Sequence, residues 1–245
     1  MNNEATSLDA AYQSYQAAID ERRRADIEEC VRDARRHLPM ASQDEWSSLI
    51  EWLRDEKRKW FVAAVFAKAP VPKRLFEPFL TAAINEKKPS LNRQFVEPCI
   101  HAWGHRRVNE HLLAVVEAGD APEIAGAVAA LYWANMSITF SGEVPEYTLE
   151  HATPESRAAF LELKDVWERK RELYLTTFIN KDNVEVRRQI IPSLKLDESV
   201  YCDELKPLVG QAIEIARNHE DDYIRHRVEV QLGNEKLLKP LPDRE

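Results

Sequence analysis

Glycine is scarce in this chain of 245 residues: there are 6, against 13 prolines. So few cannot supply the tight turns of a many-stranded β fold. They are also too far apart (Gly104, Gly119, Gly126, Gly142, Gly210, Gly233) to form GxGxxG or GxxxxGK, which excludes the common phosphate-cradling loops. Cysteine is scarcer still. Cys30, Cys99 and Cys202 fall in different thirds of the chain with no CxxC pair, so neither a disulfide framework nor a zinc cage is expected, and buried neutral thiols are. A basic excess is missing as well. With 34 basic and 42 acidic side chains the formal charge is −8, which argues against nucleic acid or an anionic membrane as the main partner. That charge is spread along the chain, −2, −3 and −3 over residues 1–70, 71–150 and 151–245, so no acidic tail hides in the average. Mean hydropathy is −0.50, and no run of about 18 apolar residues exists to span a membrane. The first twenty residues have neither a basic start nor an apolar stretch, so the expectation is a cytoplasmic protein.

What is present is helical period. Apolar residues recur three and four apart in nearly every segment, without strand alternation. Residues 8–38 read as two helices or one bent helix, closed by Pro39. Ser42-Gln43-Asp44-Glu45 has the form of a capping box and opens a helix through Trp46, Leu49, Ile50 and Leu53. The run from Trp60 to Ala67 is apolar nearly all round, as a helix packed on several sides would be. Further helices are expected over 73–86, 90–103 and 108–118, the last stopped by Gly119, and Asp120 can cap the next. Thr153-Pro154 then starts a long helix to about Asn180, with Phe160, Leu163, Trp167, Tyr174 and Phe178 on one face.

The last third repeats itself. The stretches 182–194 and 221–233 share an Asp, an apolar residue followed by Arg, and apolar residues four and eight positions on: Val186, Ile190, Leu194 against Ile224, Val228, Leu232. Arg187 and Arg225 stand 38 residues apart. Such a period marks stacked helical pairs, since one pair cannot bury its own apolar face. Asp120 with Ile124, Val128 and Tyr132 fits without the Arg, and Ser90-Leu91-Asn92-Arg93 fits more loosely.

This layout resembles HEAT and HEAT-like repeats, clearest over 182–233 and covering about a third of the chain. The resemblance implies an all-α fold, an α–α superhelix forming a single curved solenoid, with N-terminal repeats over 1–136, an irregular segment over 137–153 and C-terminal repeats over 154–245. It implies binding of proteins, or less often of nucleic acid, on a concave face, and does not imply a reaction. The departures are the Arg missing after Asp120, the irregular segment, and Pro192 inside a repeat helix.

No catalytic constellation stands out, and no motif requires a cofactor. Glu97, His101 and His105 would share a helix face at i, i+4 and i+8, but the helix would have to run through Gly104 and the pattern is not HExxH. A surface or core-edge histidine pair is the expected reading, with no metal. The clusters 22–24, 57–59 and 169–171 of basic residues read as solvated helix faces, and Trp60, Trp103, Trp133 and Trp167 as mainly core. The irregular segment is different: Phe140, Glu143, Glu146 and Tyr147 combine aromatic anchors with acids, a composition suited to a basic partner, and are the expected binding residues. The functional expectation is a non-enzymatic interaction module with an acidic surface for another protein, of which a toxin-neutralising immunity protein is one form. The alternative is drawn from the resemblance of residues 154–233 to HEAT-like DNA glycosylases. Those hold DNA on a basic face with tryptophans and a catalytic Asp; Trp103, Trp133 and Trp167 are present here, but no Asp matches and the charge opposes DNA.

Overall fold

The computed structural model describes residues 7–142 and 148–234. Among them all regular structure is helical, apart from one isolated bridge between Phe140 and Ala152. No described helix is long and apolar enough to cross a membrane. The chain divides into two compact units, residues 1–108 and 109–245.

The first unit contains α1 (Leu8–Asp20), α2 (Arg24–His37), α3 (Gln43–Arg54), α4 (Arg58–Phe66), α5 (Lys73–Ile84) and the start of α6 (Arg93–Ala118). The predicted break in the first segment lies at Arg22, which takes a left-handed φ of 56°. A 3-10 turn over Leu38–Met40 closes α2 at Pro39. Helix α4 is the centre of this unit: Phe61, Val62, Ala63, Val65 and Phe66 are all buried. The rings of Tyr15, Tyr12 and Trp52 surround Phe61 at 5.0, 5.7 and 6.1 Å, the tilted and edge-on arrangements that aromatic quadrupoles favour. From α2, Arg35 reaches the end of α4 and donates to the Val65 and Ala64 carbonyls at 2.7 and 2.6 Å, satisfying acceptors that the last turn of a helix leaves free.

The capping box at α3 forms as expected, and its glutamate does more than cap. Glu45 Oε2 accepts from the Ser42 backbone N–H at 2.9 Å, while Oε1 accepts from the Leu8 N–H at 3.1 Å and lies 2.7 Å from His37 Nε2. One carboxylate thus ties the starts of α1 and α3 to the end of α2. Burial pushes the Glu45 carboxyl up, but the Ser42 and Leu8 amides and His37 outweigh it and bring it to about 2, from an ordinary 4.5. A carboxyl depressed in the folded state stabilises above its unfolded value and stops doing so as pH falls through its folded value. Glu45→Ala is therefore expected to cost about 2 kcal/mol near neutral pH. The gap from wild type in urea midpoint should close as pH drops from about 4.5 toward about 2. A gap independent of pH would show that the carboxylate charge is not what stabilises.

Gly104 interrupts α6 with φ 78° and ψ 161°, so the stretch is two helices rather than one. Gly119 ends it where a Cβ would meet the Val115 carbonyl oxygen at 2.6 Å.

The second unit contains α7 (Ala121–Trp133), α8 (Pro154–Glu162), α9 (Lys164–Asn180), α10 (Val184–Ile190), α11 (Lys206–Arg217) and α12 (Asp222–Gln231). Helix α7 opens with a full Asp120–Glu123 capping box and packs against α10; α9 packs against α11, and α11 against α12. Thr153 caps α8 with Pro154 at its first position, as predicted. The single long helix predicted from there is two: the chain breaks at Leu163, where the backbone leaves helical geometry (φ −101°, ψ 10°) and the side chain is buried. The described ends of the 137–153 segment are pinned together. Thr153 donates to the Thr139 carbonyl at 2.9 Å, and Thr139 donates to Ser156 Oγ at 3.0 Å.

The two repeat arginines turn to different places: Arg187 reaches back to α9, whereas Arg225 stays with the turn between α11 and α12. Arg187 Nε donates to the Phe178 carbonyl at 3.1 Å and Nη1 to Asp182 at 2.7 Å. Arg225 Nη1 donates to the Glu220 carbonyl at 2.8 Å and also to the His219 carbonyl. The neighbouring Arg188, not Arg187, links α10 to the start of α12, meeting Asp221 at 2.8 Å. Asp221 caps α12, but α10 is capped by Asn183, one residue after the aspartate of the layout. Nor does a helix run through Pro192: α10 stops at Ile190, and Ile191–Ser193 form a 3-10 turn that still delivers Leu194 to the core.

Candidate functional site

Of the four residues expected to bind a partner, the structure describes only Phe140, which is half-buried and pairs by its backbone with Ala152. Glu143, Glu146 and Tyr147 lie outside the described residues. Gly104, with φ 78° and ψ 161°, breaks the helix between His101 and His105, so the unbroken helix needed to align Glu97, His101 and His105 does not form, and Glu97 accepts from Arg93 at 2.5 Å. No group of three or more metal-ligating side chains comes together among the described residues.

Among the described residues of the first unit a groove of about 750 Å³ lies between the end of α3, the start of α4 and the second half of α5. Leu53, Pro78, Ala82 and Leu91 give it apolar walls, and Trp60 one aromatic face. Its floor holds an ion pair, Lys59 Nζ to Glu86 at 2.6 Å, with the side chains 12% and 6% exposed. Burial pushes the Glu86 carboxyl up, but the Lys59 ammonium and the Lys88 backbone N–H, at 2.9 Å, hold it below its ordinary value. The Lys59 ammonium also lies 5.2 Å from the Trp60 ring centre, and that ring packs on Phe95 at 5.2 Å. At the rim Glu56 and Lys87 pair at 3.2 Å with both side chains in solvent. Such a pair exchanges partners at little cost. Arg54, Glu77 and Lys88 complete a rim that carries both signs.

Two of the basic clusters depart from expectation. Residues 57–59 are not a solvated face: Lys59 is in the groove floor, and the Arg58 guanidinium lies 5.2 and 5.4 Å from the ring centres of Tyr12 and Trp52. Residues 169–171 divide in the same way. Arg169 pairs with Glu117 at 2.6 Å, Arg171 lies over the Tyr201 ring, and only Arg169 of the three is exposed. The cluster at 22–24 does stay in solvent. Trp60, Trp103, Trp133 and Trp167, expected mainly in the core, are all half-buried. Their polar ends explain part of this, since indole carries an N–H that a dry core must satisfy: Trp103 reaches the Val71 carbonyl at 2.9 Å. Cys99 is the buried thiol that was expected, its ionisation pushed up by burial, whereas Cys30 is half-buried and Cys202 exposed.

Comparison with family models, with curated proteins and with solved structures finds no match to this chain.

Proposed function

We propose that this chain is a HEAT-like helical-repeat protein without catalytic function that binds another protein. The repeat reading is supported by Arg187 and Arg225 each donating to a backbone carbonyl that precedes its own helix, and by the Arg188–Asp221 pair that links α10 to the cap of α12. The observation that carries the binding reading is the groove. Aliphatic walls, one half-buried tryptophan and a rim ion pair free to exchange are the composition of a protein interface, with Trp60 as the anchor. Its area is open rather than enclosed by polar groups converging on one point, which suits a partner's side chains better than a small substrate. A formal charge of −8 steers a basic partner toward the chain. A basic effector protein, neutralised by being covered, is the form of partner this charge favours.

The test is capture from native lysate on the immobilised chain. The expected result is enrichment of a protein with a basic surface, released by raised salt. Recovery of nucleic acid alone, or of nothing above a blank support, would contradict the proposal.

A further inference from the structure

The acidity of the chain is not shared by its two units. Residues 1–108 hold 18 basic and 16 acidic side chains and residues 109–245 hold 16 and 26, so the formal charge of −8 is +2 on the first unit and −10 on the second. The basic excess of the first unit sits with the groove. Over residues 71–108, which supply α5 and the turn after it, 7 basic side chains stand against 3 acidic ones.

In the groove lining, Arg54, Lys59, Lys87 and Lys88 stand against Glu56, Glu77 and Glu86. A second pocket continues along α5 toward its start, shares Glu77 and Pro78 with the groove, and adds Lys73 and Arg74 without another acid. The acid on the floor is already engaged at both oxygens, Oε2 by Lys59 at 2.6 Å and Oε1 by the Lys88 backbone N–H at 2.9 Å. Lys59 gives Glu86 one of its three N–H groups and keeps the others for a further acceptor. Lys73 and Lys88 are exposed and, among the described residues, paired with no carboxylate; Glu77 is the one lining acid in the same condition. Cations in want of a partner thus outnumber acids at both ends of the groove.

We infer, on the reading of the groove as the protein-binding site, that the segment of the partner entering it is acidic: Asp or Glu residues beside an apolar residue that lies on Trp60. The carboxylates meet Lys59, Lys88 and Lys73, and the apolar neighbour covers Trp60 and the Pro78 ring. One partner satisfies both charges of this chain because they act at different ranges. The second unit steers a protein with a basic surface from a distance, whereas contact in the groove is decided by charges within about a Debye length, ~8 Å at physiological salt. A phosphate backbone suits the groove less well. It would carry its charge past Glu56, Glu77 and Glu86, and it has nothing to place on the apolar walls at Leu53, Pro78 and Ala82.

Phage displaying random dodecapeptides are panned in parallel on the full wild-type chain and on Thr81→Tyr, which fills the groove with an uncharged ring from an exposed position of α5. The two proteins are matched for thermal unfolding, and oligothymidylate binding at low salt is measured on both. Peptides retained by the wild type alone are expected to hold Asp and Glu, next to an apolar residue, at roughly twice their frequency in the unselected library or more. Binding of those peptides should fall at least roughly tenfold when the exposed lysines are reversed together, as Lys73→Glu with Lys88→Glu. Groove-dependent peptides with no excess of acids, or indifferent to the two reversals, would overturn the acidic assignment and leave the groove as the binding site. If Thr81→Tyr loses none of the peptides that the wild type retains, the groove reading itself fails and the acidic assignment with it. Oligothymidylate bound by the wild type and excluded by Thr81→Tyr, with no peptide selected, would overturn both in favour of nucleic acid.

Discussion

Lys59→Met alone is expected to lower the stability of the first unit by about 3 kcal/mol, and Lys59→Met combined with Glu86→Leu to regain most of that loss. Removing the lysine leaves the Glu86 carboxylate 6% exposed with its charge uncompensated and only the Lys88 amide beside it. Removing both ends exchanges a desolvated ion pair for apolar contact with Trp60 and Leu53, which share the groove. The two single variants and the double variant, compared by urea denaturation, form a cycle with a strongly favourable coupling. Losses that simply add would mean the pair is solvated, and the groove floor would then not be as described.

Phe61→Ala is expected to cost about 4 kcal/mol, the largest effect of any single truncation in this unit. The Phe61 side chain is fully buried and is the ring on which Tyr12, Tyr15 and Trp52 converge, so its loss opens a cavity with walls on α1, α3 and α4. Phe61→Leu, which refills most of that volume, should cost about 1 kcal/mol. Tyr132→Ala, at a side chain 64% exposed, should change the unfolding midpoint very little. Equal effects at Phe61 and Tyr132 would contradict the placement of the core.

The features that could be read from the sequence are those whose chemistry is local. A capping box joins residues three apart, so Ser42 with Glu45 announces α3 without reference to the rest of the chain. The same holds for Asp120 before α7 and for Thr153-Pro154 before α8. What could not be read depends on distant partners or on a shift of one residue. Leu163 ends α8 with no proline, glycine or capping side chain to signal it, and both it and Val166 are buried. Asn183 takes the capping role expected of Asp182 because either residue can accept from the first free amides, and the repeat pattern does not choose between them.

The groove was hidden for a related reason. Its residues come from α3, α4, α5 and the turn after α5, and each looks ordinary in its own segment: Lys59 in a basic run, Trp60 at the head of an apolar one. Only the fold sets Glu86 against Lys59. A signal was nevertheless present. Lys57-Arg58-Lys59 runs directly into Trp60 and Phe61, so at least one of those cations had to lie against the core rather than in water.

The most direct measurement fills the groove and leaves the fold alone. Thr81 is exposed on α5 and lines the groove, so Thr81→Arg places a long side chain across it without disturbing a buried contact. Wild type and Thr81→Arg, matched for thermal unfolding, are used side by side to capture proteins from one lysate, with quantitative mass spectrometry of what each retains. The expected result is a protein enriched on the wild type and reduced at least roughly tenfold on the variant, the cost of obstructing an interface anchor. Equal recovery of the same protein on both would place binding elsewhere and contradict the groove as the binding site.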